Sequence, residues 1–116
     1  MEIKIVRDAI SKRELAEIAQ AGFGDFVKAV VDVAQDVMAV GGELHADEEV
    51  LLNEECESKR EDVWGINLYP QKEGNEWIEF DSMINLKPQF GNRSRGVEDS
   101  ATREKIVAVI KKLVRD

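Results

Sequence analysis

Apolar and polar positions alternate at the start of the chain, where Ile3 and Ile5 alternate with Glu2 and Lys4, and this period of two predicts a short strand ending near Arg7. A helix with clear punctuation follows. Ser11 and Glu14 form a capping box, Ile10 and Leu15 occupy the two positions of a hydrophobic staple, and Gly22 sits where a C-terminal glycine cap ends the helix near Ala21. The next segment, "FVKAVVDVAQDVMAV", fits both a buried helix and a pair of strands. Six of its fifteen residues are valine, and β-branched side chains pack better on a pleated surface than in a helix, so the hairpin is preferred, with Ala34-Gln35-Asp36 as its connection. Continued alternation puts Met38, Val40, Leu44 and Ala46 on one face of a strand running to Asp47. Val37, Ala39, Gly41, Glu43, His45 and Asp47 fall on the other face.

"EEVLLNEECESKRED" is too charged after Leu52 to be core and predicts a short strand or helical turn followed by an exposed loop. "VWGINLYP" predicts a strand with Trp64, Ile66 and Leu68 on one side and Val63, Gly65, Asn67 and Tyr69 on the other, stopped by Pro70. "WIEFDSMINLKP" is the longest alternating run. Its buried side is Ile78, Phe80, Ile84 and Leu86, and its polar side Trp77, Glu79, Asp81, Met83 and Asn85. After the glycine-bounded loop "QFGNRSRG", a last helix begins near Asp99 or Ser100, with Thr102, Ile106, Val109, Ile110 and Leu113 on one face and Lys111, Lys112 and Arg115 at the end its dipole favours. The expected architecture is α+β: one antiparallel or mixed sheet of about five strands, with an N-terminal and a C-terminal helix packed on one face.

The 116 residues suit a single domain, 1–116, with one core. A net charge of −8 repels phosphate backbones, so nucleic acid is a disfavoured partner. Cys56 is the one cysteine and lies among Glu54, Glu55 and Glu57, which excludes an intrachain disulfide and works against a reactive thiolate. The first twenty residues carry charges throughout where a secretory signal needs an apolar run of about 7–15, and no stretch reaches the ~20 apolar residues of a membrane span. The expected compartment is the cytoplasm, with no membrane partner.

Four runs, "VGGELHADEEVLL", "WGINLYP", "WIEFDSMINLKP" and "GNRSRGVED", together resemble a family of small prokaryotic proteins known by a domain-of-unknown-function label. The resemblance spans most of the chain and supports the single-domain reading. It implies no reaction, cofactor or catalytic residue.

Candidate chemistry centres on the lone histidine. On a strand, Glu43, His45 and Asp47 would form a row about 7 Å apart from one to the next. Such a row suits a divalent metal or acid–base work, with neighbours such as Asn67, Tyr69, Glu79, Asp81 and Asn85 supplied by the same polar face. The plainer reading, a solvated sheet face that needs no cofactor, is preferred, because antiparallel sheets commonly leave one face in water. Ahead of the last helix, Arg93 and Arg95 could hold a small anion, although pairing with acids of the same chain is preferred.

Two functions from different classes follow. The preferred one is a binding or protein-interaction module, a homo-oligomer, whose polar sheet face meets a protein partner or a second copy through Tyr69 and Trp77, with Asn67 and Asn85 beside them. The alternative is a small metal-dependent or acid–base hydrolase of a phosphorylated substrate. There Glu43, His45, Asp47 and Asp81 would be catalytic, Glu43, His45 and Asp47 would hold any metal, and Arg93 or Arg95 would hold the anion.

Overall fold

The computed structural model describes residues 2–116. Strand β1 (Lys4–Val6) leads through the two-residue β2 (Ile10–Ser11) into helix α1 (Lys12–Ala21). The start of α1 follows the sequence, since the Ser11 side chain accepts the Glu14 N–H at 3.0 Å. Its end differs in detail. Gly22 and Gly24 both donate to Ala19 O, but the positive φ that reverses the chain belongs to Gly24, at 104°.

Strands β3 (Val27–Asp32) and β4 (Val37–Val40) form the predicted hairpin. Asp32 makes its connection. One carboxylate oxygen accepts from the amides of Ala34 and Gln35, the other from Ser58 Oγ, and Asp36 then takes a left-handed φ of 57°. Strand β5 (Val63–Leu68) pairs along the whole of β3, and β6 (Ile78–Glu79) adds a short edge. Among the described residues the main sheet is five-stranded and antiparallel, in the order β1-β4-β3-β5-β6. Helix α3 (Ser100–Leu113) begins where expected, is capped by Asp99, and ends in β7 (Val114–Arg115), which pairs in parallel with β2.

Strand alternation divides the core in two. Val27, Ala29, Val31, Met38, Val40, Trp64, Ile66 and Leu68 face α1 and α3 and pack against Leu15, Ala19, Ile106, Val109, Ile110 and Leu113. Val30, Val37, Ala39 and Val63 face the other way, onto Leu52 and Ile84. That second face is not left to water. Helix α2 (His45–Cys56) lies across it, where the sequence predicted a strand continuing to Asp47, then a short strand or helical turn and an exposed loop.

The strand stops because Val40 is followed by two glycines in confined space. Gly41 has φ 95°, and a Cβ on it would meet Glu2 O at 3.1 Å, while a Cβ on Gly42 would lie 3.0 Å from Glu48 Cγ. The helix inward side consists of His45, Glu48 and Leu52, spaced three and four apart. Two of these three residues are titratable, so the helical period does not show as an apolar stripe.

"WIEFDSMINLKP" also departs from expectation. Only Ile78–Glu79 pairs with the sheet. The chain then wraps round the sheet edge, so Ile78 and Phe80 pack against the first core whereas Ile84, in a 3-10 turn at Met83–Asn85, joins the second. Gly65 admits this crossing: a Cβ there would stand 2.5 Å from Ser82 Oγ. No described helix is long and apolar enough to cross a membrane.

Candidate functional site

One end of the second sheet face is polar. In the strand register Lys28 on β3 stands opposite Asn67 on β5, and Asn67 stands opposite Glu79 on β6. The first turn of α2 lies above this row and lowers His45 onto it. The ring is buried, with Nε2 2.8 Å from Ile66 O. A carbonyl can only accept, so Nε2 carries the hydrogen and Nδ1 keeps its lone pair. Burial is the main cause that holds the imidazole pKa below its ordinary value. The Ile66 carbonyl opposes that, Lys28 adds to it, and Asp81 and a side-chain hydrogen bond that the charged ring would make to Asn67 work the other way, so the Asn67 oxygen lacks this partner only while the ring is neutral.

Asn67 is held from one side only. Its Nδ2 donates to Glu79 Oε1 at 2.8 Å and to Asp81 O at 3.5 Å, which fixes the amide orientation, while its buried Oδ1 has no partner among the described residues. Tyr69 Oη also donates to Glu79 Oε1, at 3.2 Å, and the Tyr69 ring rests against Phe26. Burial first, then the Glu79 charge, raises the Tyr69 pKa.

These groups open into a cavity of about 230 Å³ lined by Phe26, Lys28, Leu44, His45, Ala46, Asn67, Asp81, Ser82, Met83, Ile84 and Arg95. Arg95 donates from Nε to Asp81 Oδ1 at 2.8 Å, so at the rim that cation is neutralised by its neighbour. Lys28 forms no ion pair among the described residues and stands 5.0 Å from the Phe23 ring centroid. A larger groove of about 630 Å³ runs between β6 and α3, floored by Ile78, Phe80, Val107 and Ala108. It holds no buried polar group, so the chemistry is in the smaller cavity.

Of the residues expected from sequence, His45, Asn67, Asp81 and Arg95 meet in the cavity, with Tyr69 one step behind through Glu79. The others do not. The row of Glu43, His45 and Asp47 does not exist: Glu43 is exposed in the turn before α2, Asp47 is exposed in its first turn, and only the His45 side chain is directed inward. Among the described residues no three His, Cys, Asp or Glu side chains converge as a metal site. Trp77 packs against the first core under Lys12 instead of lining the polar face. Asn85 is fully buried, and its amide serves the backbone of Gly65 and Arg95. Arg93 is exposed with its amide on Glu98, and the loop around it is organised by Asn92, whose Nδ2 donates to the carbonyls of Asn85, Ser94 and Gly96.

Two charged residues escaped the sequence reading. Lys28 was visible as the lone charge within "VKAVV", a lysine on a central strand. Glu48 is fully buried on α2; Oε2 accepts the Gly42 N–H at 2.9 Å and Oε1 has no partner among the described residues. Burial drives its pKa well above the ordinary value, against the Gly42 hydrogen bond and Lys28. No curated protein and no solved structure matches this chain. Residues 4–113 match the model of the family described as "Protein of unknown function (DUF5674)", and the chain belongs to that family.

Proposed function

We propose that the chain is a binding module whose site is the cavity under the N-terminal turn of α2, at the polar end of the second sheet face. The observation that carries this reading is the buried, unpartnered Oδ1 of Asn67, set beside a neutral imidazole whose Nδ1 is also an acceptor. A buried acceptor without a partner costs about 1–3 kcal/mol, and a group bound from outside would recover that cost. The walls suit a partner with an apolar part as well, because Leu44 and Met83, which line the cavity, are 56% and 62% exposed. A protein partner or a second copy of the chain fits such a rim, as does a small anionic ligand drawn by Lys28.

The test is a ¹H–¹⁵N titration of the labelled protein with a small-molecule fragment set, following the side-chain amide of Asn67 and the ring of His45. Binding should move these signals together, and Asn67→Leu should abolish the response of the His45 ring. Fragments that bind only elsewhere would defeat the reading. Mass measurement across a concentration series examines self-association, and a monomer at the highest concentration would remove that part.

A second reading has one observation in its favour: His45, Asp81 and Arg95 line the same cavity. An acid–base hydrolase of a phosphorylated substrate would use His45 Nδ1 as the base, with Nε2 anchored on Ile66, and Arg95 would offset developing charge only on leaving its pair with Asp81. This version rests on the imidazole and not on the metal row, which the fold takes apart. Turnover of p-nitrophenyl phosphate that is lost in His45→Ala would establish it, and no turnover would end it.

A further inference from the structure

We infer that the occupant of this cavity is the C-terminus of a peptide: an α-carboxylate held by Lys28 and the free amides at the start of α2, with the adjoining amide N–H donated to Asn67 Oδ1. The inference rests on the cavity being a binding site, as proposed above, and adds the chemistry of what binds.

Three features select an anion on one side of the cavity. The His45 and Ala46 amides at the start of α2 have no partner among the described residues, since Leu44 at the N-cap offers no side chain and its carbonyl takes the Asp47 N–H at 3.1 Å. Leu44, His45 and Ala46 line the cavity, so the positive end of a 12-residue helix opens into it. Lys28 adds an ammonium with no ion pair among the described residues, whereas Arg95 is already taken by Asp81.

The other side selects a donor. Asn67 is 8% exposed, its Nδ2 is committed to Glu79 and Asp81, and its Oδ1 has no partner among the described residues while the His45 ring, which lines the same cavity, is neutral. An isolated anion would leave both acceptors unanswered, and a plain cation would be repelled by Lys28. A peptide terminus presents a carboxylate and an N–H one residue apart. Capture of such a terminus by clustered backbone amides is a known recognition mode.

Size agrees: about 230 Å³ is below the roughly 300–1,000 Å³ of drug-sized sites, and one residue with its terminal carboxylate is the natural unit. The exposed side chains of Leu44 and Met83 on the wall favour an apolar terminal residue.

The test uses four probes on the ¹⁵N-labelled full chain: N-acetyl-leucine, its carboxamide, 4-methylpentanoate (the same carbon chain without the amide) and the acetylated peptide Ala-Ala-Ala-Leu with a free terminus. N-acetyl-leucine and the peptide should shift Asn67, His45 and Ala46, with the peptide binding more tightly. The carboxamide and 4-methylpentanoate should bind at least tenfold more weakly. Lys28→Gln should weaken the free acid about tenfold and leave the carboxamide unchanged.

Equal binding of acid and carboxamide overturns the inference. Saturation by N-acetyl-leucine without binding of the peptide also overturns it and assigns the cavity to free acylated amino acids. If inorganic phosphate or glycolate shifts the same residues while all four probes fail, the binding site stands and the peptide inference falls. If nothing shifts them, both fall.

Discussion

The side-chain amide of Asn85 bonds to both backbone groups of Gly65, accepting the N–H at 2.8 Å and donating to the carbonyl at 3.0 Å. A side chain thereby takes the place of a neighbouring strand where β6 has left the sheet. Gly65 is needed for the approach, since a methyl group there would collide with Ser82.

Asn85→Ala should strand a buried N–H and a buried carbonyl and cost about 3 kcal/mol. Asn85→Asp is the sharper probe at neutral pH, because a carboxylate facing the carbonyls of Gly65 and Arg95 has no hydrogen to give. It should be at least as destabilised as the alanine variant at pH 7 and recover part of the loss when acid restores a donor. Urea unfolding at pH 7 and pH 4 measures both. Equal stability of Asn85→Asp and wild type would contradict this role.

How far the sequence reveals the fold depends on which residues carry the pattern. The valines of β3 and β4, Ser11 at the start of α1 and Asp99 at the start of α3 report local rules, and the structure follows them. Helix α2 hid because its inward positions are His45 and Glu48 as much as Leu52, so burial of titratable groups erased the periodicity that marks a helix. The long alternating run misled for another reason. Alternation records which side each residue presents, but not that Ile78 and Ile84 present to opposite layers after the chain turns the sheet edge. For the site, the acids and the histidine were visible, and their grouping was not. His45 and Asp81 come together only through α2, which also discards Glu43 and Asp47.

Lys87 is the most fully enclosed cation of the fold, donating to Arg60 O at 2.7 Å and Val63 O at 2.6 Å with Nζ 3.7 Å from the Trp64 ring centroid. Burial, followed by Arg60, lowers its pKa to about 8 from 10.5. The unfolded chain therefore holds this proton more tightly than the fold does. The contribution to stability is full above pH 10.5, declines as pH falls toward 8, and is level below that. Lys87→Met should lose about 2 kcal/mol at pH 7 through the two abandoned carbonyls and should lack the alkaline slope. Denaturant midpoints of both proteins from pH 7 to 10.5 check it; parallel curves would refute the assignment.

Glu48 has the opposite dependence. Its folded pKa lies well above the ordinary carboxylate value of 4.5, so the fold binds the proton more tightly than the unfolded chain. Its contribution is fully present below pH 4.5 and is lost as pH rises through the folded value. Glu48→Gln cannot ionise. The variant should match or fall slightly below wild type at pH 4 and exceed it increasingly toward pH 8, in unfolding experiments at constant ionic strength. A constant difference between the two across that range would show that Glu48 does not titrate with folding.

His45 completes the acid–base account of α2, and as the one histidine of the chain its resonances identify themselves. The Ile66 carbonyl requires the Nε2–H tautomer, and burial places the folded pKa below 6.5. Stability from this group is present above pH 6.5 and is lost as pH falls through that value toward the folded pKa, because the unfolded chain then takes the proton more readily. In ¹⁵N spectra at pH 7, Nε2 should show the shift of a protonated nitrogen, Nδ1 that of a bare one, and the Nε2–H should exchange slowly. A neutral ring protonated on Nδ1 would rule out the hydrogen bond to Ile66, and a ring half charged at or above pH 6.5 would overturn the lowered pKa. The open acceptor pair at the cavity floor would disappear with it.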